Sequence, residues 1–179
     1  MTDREIIQRY REGGREEAFR LLVQTYKERL YWHIRRMVLD HDDADDCLQN
    51  TFIKVWQSLD RFRGDAQLYT WLYRIATNET ITFLTKRQTR GEYAALAAAE
   101  RLSSDAWFDG DQVQAALHKA IAKLPPKQMA VFNLRYFDEM PYEQMSRVLE
   151  TSEGALKASY HHAYEKVKAW MKEEIDVKY

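Results

Sequence analysis

The order of apolar and polar positions predicts a chain built from helices. Apolar residues recur three or four positions apart through most of its length, and no convincing alternation of apolar and polar residues marks a β-strand. Only six glycines and three prolines interrupt the 179 residues. We therefore expect an all-α fold.

The N-terminal half contains three helical patterns after a polar, partly helical lead-in over residues 1–16. The first covers residues 19–38. The second begins after the acidic cluster at residues 40–43 and extends to Leu59, and the third covers residues 68–87. Asp42 or Asp43 is the expected N-cap of the second helix. Its expected inward positions are Ala44, Leu48, Phe52, Val55, Trp56 and Leu59. Its expected outward positions are Asp45, Asp46, Gln49, Asn50 and Lys54.

Residues 124–170 have the pattern of a helix–turn–helix. Pro125 and Pro126 suit the start of one helix, residues 138–141 interrupt it, and a short second helix follows over residues 142–149. After a turn at residues 150–153, with Ser152 as the expected N-cap, apolar residues at steps of four, three and four define a longer helix: Leu156, Tyr160, Ala163 and Val167. Such a unit can enter the major groove, so this pattern points to DNA.

The distribution of charge predicts two domains and a linker. The net charge is −1 for the whole chain, +2 for residues 1–90, −4 for residues 91–112 and +1 for residues 113–179. We expect one helical domain over residues 1–90, an acidic flexible linker over 91–112, part of which can be helical, and a second domain over 113–179. Because neither domain is strongly basic, attraction to phosphates should be modest and sensitive to salt.

Composition and missing motifs narrow the class of protein further. The single cysteine, Cys47, excludes an internal disulfide and a Cys-x-x-Cys metal site, and its place on the helix predicts a small buried hydrophobe. No segment approaches the ~20 apolar residues of a membrane span. No glycine loop that could cradle phosphate and no nucleophile–base pair is visible. We expect a cytoplasmic protein that is not an enzyme, needs no cofactor or metal, does not insert into membranes and is a monomer when free.

Three segments, in order, resemble conserved regions of the extracytoplasmic-function (ECF) sigma factors, minimal relatives within the sigma-70 family. Residues 43–56 (DADDCLQNTFIKVW) resemble the polymerase-binding helix of region 2, residues 62–78 (FRGDAQLYTWLYRIATN) resemble its −10 element segment, and residues 124–170 resemble region 4. The resemblance covers about residues 15–172. It implies a protein that binds core RNA polymerase, recognises and helps melt the −10 element, binds the −35 element of promoter DNA, and is held inactive by an anti-sigma factor.

The resemblance also assigns roles to individual residues. It implies contacts with core polymerase for Asp45, Asp46, Gln49 and Asn50. It implies contacts with the −10 element for Arg61, Arg63, Gly64, Asp65, Ala66, Gln67, Trp71, Arg74, Asn78, Lys86, Arg87 and Arg90. It implies contacts with the −35 element for Arg135, Arg147, Ser152, Glu153, Gly154, Lys157, Ser159, His161 and His162.

Without the resemblance, each group has an ordinary structural interpretation. A charged outward face is typical of amphipathic helices, Trp71 fits a core beside Leu72 and Ile75, and basic residues suit the end of a helix dipole. Two other functions therefore stay open: a stand-alone helix–turn–helix regulator, and an inactive sigma relative.

The chain also departs from the family pattern. Relatives usually have arginines where this chain has Ser159, His162 and Tyr164, which is the observation that suggests an inactive relative. The family often has glutamate at the position of Asn50. Its usual glycine in the helix–turn–helix is Glu150 here, so we expect either a different turn or a left-handed Glu150.

Overall fold

The computed structural model describes residues 2–64, 67–89 and 111–178, and within these ranges it consists of helices joined by short loops, without a β-strand. The α-helices are α1 (Asp3–Arg11), α2 (Arg15–Val38), α3 (His41–Ser58), α4 (Leu68–Thr89), α5 (Gln112–Ala122), α6 (Pro126–Tyr136), α7 (Tyr142–Leu149) and α8 (Glu153–Lys178). A single 3₁₀ turn, Leu59–Arg61, follows α3. The predicted all-α fold is confirmed.

Helices α1 to α4 form an N-terminal group around α2. The fully buried Leu22, Leu30 and Ile34 run along α2, which packs against α1, α3 and α4. Helix α4 adds Leu72 and Tyr73 to this core. The spacing of these residues follows the helical period, so burial of one continuous apolar stripe drives the packing of the group.

The start of α3 differs from the prediction. Asp40, rather than Asp42 or Asp43, is the N-cap, because its Oδ1 accepts a hydrogen bond from the backbone N–H of Asp43 at 3.1 Å. The helix therefore begins at His41. Asp42 and Asp43 lie in its first turn, where their charges favour the positive end of the helix dipole.

The buried stripe of α3 is rotated from the predicted one. Ala44, Cys47, Thr51 and Val55 are its buried residues, whereas Leu48, Phe52 and Trp56 are partly exposed. Phe52 and Trp56 contact the ring of Phe19 edge-on at the rim of the core, with centroid distances of 6.4 and 5.1 Å. The prediction for Cys47 is confirmed, since it is 1% exposed. Burial raises the pKa of its thiol to about 12.

Helices α5 to α8 form a C-terminal group, in which α8 packs against α5, α6 and α7. Leu156, Ala163 and Val167 are buried as predicted. Ser152 caps α8, since its hydroxyl accepts a hydrogen bond from the N–H of Ala155 at 3.3 Å. The arrangement of α7, a short turn and α8 is the helix–turn–helix expected from the sequence.

The predicted linker, residues 91–112, lies outside the described residues except for its last two. Those two belong to the C-terminal group instead, because Asp111 is the N-cap of α5 and Gln112 is its first residue. The Asp111 carboxylate accepts hydrogen bonds from the N–H groups of Val113 and Gln114, at 3.0 and 3.2 Å. Asp111, which the sequence predicts to lie in the acidic linker, is thus a helix N-cap.

The two groups pack against each other through α2 and α4 on one side and α6 and α7 on the other. Asp138, after α6, lies between two side chains of α2: 3.6 Å from Nδ1 of the buried His33 and 3.5 Å from Nη1 of Arg36. His33 is also hydrogen-bonded to Thr77 of α4, at 2.8 Å. Asn133 of α6 donates to the carbonyl oxygen of Arg36 at 3.4 Å. These polar contacts accompany apolar packing, because the buried apolar residues of both groups form one hydrophobic cluster.

Stability should depend on pH through His118, which is buried on α5 and stacks on Phe137 with a centroid distance of 5.3 Å. Burial, together with the charge of Arg36, lowers its pKa to about 4. The unfolded chain takes up a proton below about pH 6.5, whereas the folded chain does not until about pH 4. The free energy of unfolding should therefore fall by up to about 3 kcal/mol as the pH drops through this window.

Chemical denaturation at several pH values tests this expectation. The curve of stability against pH should be flatter between pH values of about 6.5 and 4 for His118→Asn than for the wild type. The exposed His162 offers a matched control, because His162→Asn removes a histidine that is not buried and should leave the slope unchanged. An equally steep curve for His118→Asn would contradict the assignment.

Candidate polymerase and nucleic-acid interfaces

The outer face of α3 carries the candidate polymerase-binding residues. Asp46, Gln49 and Asn50 are exposed, and Asp45 is half-buried with its carboxylate 3.3 Å from Nε2 of His41. Ile53 lies on the same face and is 54% exposed. Sequence reasoning missed Ile53, although an isoleucine outside the apolar stripe of its helix was the available signal. The face therefore joins acidic, amide and apolar groups, a combination suited to a protein partner.

The loop after α3 carries the first group of candidate −10 residues and is tied to α1. Asp60 accepts hydrogen bonds from the hydroxyl of Tyr10 and from Nη1 of Arg15, the latter at 2.9 Å. Arg15 also donates to the carbonyl oxygen of Trp56 at 2.8 Å. The hydrogen bond from Tyr10, together with the charge of Arg15, lowers the pKa of Asp60. These contacts hold the 3₁₀ turn in place and present the residues that follow it.

The described candidates of this loop are exposed: Arg61, Arg63, Gly64 and Gln67. Gly64 has a φ of 80°, which glycine adopts without steric cost. Two further candidates, Asp65 and Ala66, lie outside the described residues.

Candidates on α4 differ in their availability. Asn78 and Lys86 are exposed. Trp71 is partly buried and packs against Phe62, with a centroid distance of 5.0 Å, so it is at once a core residue and a side chain at the base of the loop. Arg90 lies outside the described residues.

Two candidate arginines of α4 are engaged within the protein. Arg87 donates to the carbonyl oxygen of Val38 at 3.1 Å and lies 3.6 Å from a carboxylate oxygen of Asp43; burial lowers the pKa of this guanidinium. Arg74 donates from Nε and Nη2 to the carbonyl oxygen of Arg147, at 2.9 and 2.6 Å. Its Nη1 lies 3.7 Å from Glu150. Arg74 thus joins the candidate −10 helix to the helix–turn–helix.

Most candidate −35 residues of α8 face solvent. Glu153, Gly154, Lys157, His161 and His162 are exposed, and Ser159 is partly exposed. Ser152 caps the helix, so its hydroxyl is already in use. The remaining candidates precede α8.

The two candidate arginines before α8 have partners of their own. Arg135 donates to the carbonyl oxygen of Met140 at 3.1 Å, and its guanidinium lies 4.8 Å from the ring centre of Tyr142. Arg147 is half-exposed and donates to Glu143 at 3.0 Å. Arg135 therefore orders the connection between α6 and α7, whereas Arg147 lies at the surface.

The turn of the helix–turn–helix contains a strained residue. Glu150 ends α7 with φ 51° and ψ 45°, the left-handed conformation that was one of the two outcomes expected where the family usually has glycine. The N–H of Glu150 donates to the carbonyl oxygen of Ser146, and so does that of Thr151, at 3.3 Å. The chain keeps the geometry of the turn and accepts the steric cost of a side chain there.

The described residues contain neither a metal-binding cluster nor a membrane-spanning helix. Across residues 2–64, 67–89 and 111–178, no three His, Cys, Asp or Glu side chains are grouped so that they could hold a metal ion. Over the same ranges, no helix is both long and apolar enough to cross a membrane.

Comparison with known proteins identifies two regions of one family. The family model described as Sigma-70 region 2 matches residues 22–90, and the model described as Sigma-70, region 4 matches residues 114–167. The RNA polymerase sigma-H factor of Pseudomonas aeruginosa is 30% identical over 181 residues, which span 92% of this chain and 91% of that protein. The ECF RNA polymerase sigma-E factor of Escherichia coli K12 is 28% identical over 179 residues, 93% of each chain.

Solved structures agree on the fold. The structure of CnrH in complex with the cytosolic domain of CnrY superposes with a TM-score of 0.69 at 24% identity and covers 95% of this chain and 97% of that one. RpoE of Bartonella quintana, in complex with the anti-sigma factor NepR, superposes with a TM-score of 0.64 at 21% identity and covers 86% of this chain and 96% of that one.

The chain belongs to the sigma-70 family, in its extracytoplasmic-function group, and its function is that of an RNA polymerase sigma factor. The family is one of transcription initiation factors that act with RNA polymerase at promoters. The predicted membership in this family, with its regions 2 and 4, is thereby confirmed.

The left-handed Glu150 gives a prediction about stability. Glu150→Gly and Glu150→Ala both remove the carboxylate, but only glycine relieves the steric cost at φ 51°. We expect the glycine variant to be more stable than the alanine variant by about 1 kcal/mol in urea denaturation. Equal stabilities would show that the left-handed conformation carries no cost in this turn.

Proposed function

We propose that the two helical groups divide promoter recognition between them. The outer face of α3 binds core RNA polymerase, the loop after it and α4 recognise and help melt the −10 element, and α8 binds the −35 element. The chemistry of RNA synthesis stays with the polymerase, so the chain acts by binding and not as an enzyme. It works where the polymerase works, in the cytoplasm.

The assignment of polymerase binding to α3 rests on the composition and exposure of its outer face. Asp46 supplies negative charge, Gln49 and Asn50 supply amide groups, and Ile53 supplies an apolar centre. An exposed apolar side chain within a polar rim is the usual anatomy of a protein interface. The acidic charge suits a basic partner surface.

The observation that carries the proposal furthest is the contact of Arg74. This side chain is a candidate −10 contact, yet it is held by the backbone of α7 and by Glu150. While the contact persists, Arg74 is not free to meet DNA. We therefore propose that the packed arrangement is a resting form and that the two groups separate when the chain occupies a promoter.

The polar part of the contact between the groups is suited to such a separation. His33, Arg36, Asn133 and Asp138 are polar groups that water can satisfy once the groups part. Exchanging these partners for water costs less than exposing an apolar core, although the groups also share one hydrophobic cluster that separation would have to divide.

The resting form also suggests the mode of regulation. CnrH is solved with the cytosolic domain of CnrY, and RpoE with the anti-sigma factor NepR. We propose that this chain likewise has an anti-sigma partner. A partner that stabilises the packed arrangement keeps Arg74 covered and so keeps the chain inactive.

Transcription with purified core polymerase tests the proposed role of α3. The wild-type chain should produce discrete run-off transcripts from fragments of its source genome. A double variant, Gln49→Ala with Asn50→Ala, should weaken core binding about tenfold and reduce these transcripts, because two interfacial hydrogen-bonding groups are lost. Gln24→Ala with Lys27→Ala, an equally exposed pair on α2, is the matched control.

The outcomes separate three readings of the chain. Unchanged core affinity in the double variant would refute the assignment of α3. Core binding without transcripts would favour an inactive relative. Neither core binding nor transcripts would favour a stand-alone regulator.

Small-angle scattering tests the resting form. A compact 179-residue chain has a radius of gyration of about 16 Å. Arg74→Ala combined with Asp138→Ala should raise it, because the variant loses the contacts of Arg74 with α7 and Glu150 and those of Asp138 with His33 and Arg36. Lys54→Ala removes an ion pair with Glu79 inside the N-terminal group and should leave it unchanged. An unchanged radius in the double variant would show that these contacts do not hold the groups together.

A further inference from the structure

Four tyrosines, which we call the tyrosine patch, cluster at one edge of α8. They are Tyr136 at the end of α6, Tyr142 at the start of α7, and Tyr160 and Tyr164 on α8. Tyr160 lies at the centre, with ring-centroid distances of 6.1 Å to Tyr164 and 5.7 Å to Phe132, which stacks on Tyr136 at 5.2 Å. The same ring is close enough to Tyr142 and Arg135 for both to influence its pKa, which burial raises.

The patch is exposed at its two outer members. Tyr136 is 45% and Tyr164 is 43% exposed, and neither hydroxyl has a hydrogen-bond partner in the part of the chain that the structure describes. Two cations border the patch, since the guanidinium of Arg135 lies 4.8 Å and Nζ of Lys157 lies 5.7 Å from the ring centre of Tyr142. Hydroxyl donors beside cations form a surface that suits an anion.

The patch is continuous with the candidate −35 surface. Lys157, His161, Tyr164 and Lys168 are all exposed and follow one another at i, i+4, i+7 and i+11 along α8. Residues at this spacing share one face of a helix. A duplex that lies along Lys157 and His161 therefore also meets Tyr164, and Tyr136 is connected to Tyr164 through the rings of Phe132 and Tyr160.

We infer that the tyrosine patch is part of the DNA-binding surface and contacts the sugar–phosphate backbone beside the −35 element. Tyr136 and Tyr164 donate their hydroxyl hydrogens to phosphate oxygens, a role that tyrosine takes in protein–DNA contacts. This inference rests on the proposed role of α8. Arg135 and Lys157 favour a polyanion over a neutral or basic protein surface as the occupant.

A phosphate contact made by tyrosine has a distinctive salt dependence. A cationic side chain that binds phosphate releases counterions and steepens the fall of affinity with salt, whereas a hydroxyl donor binds without that effect. The chain should thus bind its −35 DNA with a shallower salt dependence than an arginine at the position of Tyr164 would give.

Binding of the full chain to duplex DNA tests the inference. The probe is a duplex that the wild-type chain selects from a random-sequence pool, and its dissociation constant is measured at KCl concentrations between about 50 and 200 mM. Tyr164→Phe and Tyr136→Phe should each weaken binding roughly threefold to tenfold at every salt concentration, with an unchanged slope. Tyr164→Arg should steepen the slope of log affinity against log salt by about 0.9.

Ala169→Arg is the matched control, because it adds the same charge at another exposed position of α8. Equal slopes for Tyr164→Arg and Ala169→Arg would overturn the inference, and so would unchanged affinities for both phenylalanine variants. An effect of these variants on core-polymerase affinity alone would also overturn it and would assign the patch to a protein contact. A wild-type chain that selects no duplex would instead refute the proposed role of α8 itself.

Discussion

The burial of α2 is the constraint on which the rest of the structure depends. The apolar residues of its N-terminal half are covered by α1, α3 and α4. Its C-terminal half also carries the buried His33, whose polar atoms require partners away from water, and the partly exposed Arg36. Thr77 of α4 is hydrogen-bonded to His33, and Asp138 beyond α6 lies 3.6 Å from His33 and 3.5 Å from Arg36. Sites on both helical groups are therefore arranged around one helix.

This arrangement gives the candidate surfaces different availability. The outer face of α3 and the exposed face of α8 point to solvent, while Arg74 and Arg87 of α4 are held by carbonyl oxygens of the chain itself. Under the proposed assignment, core polymerase and the −35 element can meet the packed form, whereas the −10 surface is complete only after a rearrangement.

Local pattern was sufficient for the helices but not for what joins them. The helical period located the helices around residues 19–38 and 68–87 and the helix–turn–helix, because each has one apolar stripe. The cap of α3 could not be chosen, since Asp40, Asp42 and Asp43 are chemically equivalent and only backbone geometry separates them. The pairing of His33 with Asp138 joins residues 105 positions apart, and no periodicity encodes it.

The candidate residues show the same limit. Exposure followed from position on the outer faces of α3 and α8, whereas the engagement of Arg74 depends on how two separate groups pack. A further consequence lies in the chemistry of its partner. Arg74 holds a main-chain oxygen, which every amino acid at position 147 would supply. A substitution at position 147 can therefore change this candidate DNA-contacting side chain and still keep the hydrogen bonds that join the two groups, so the two properties can evolve separately.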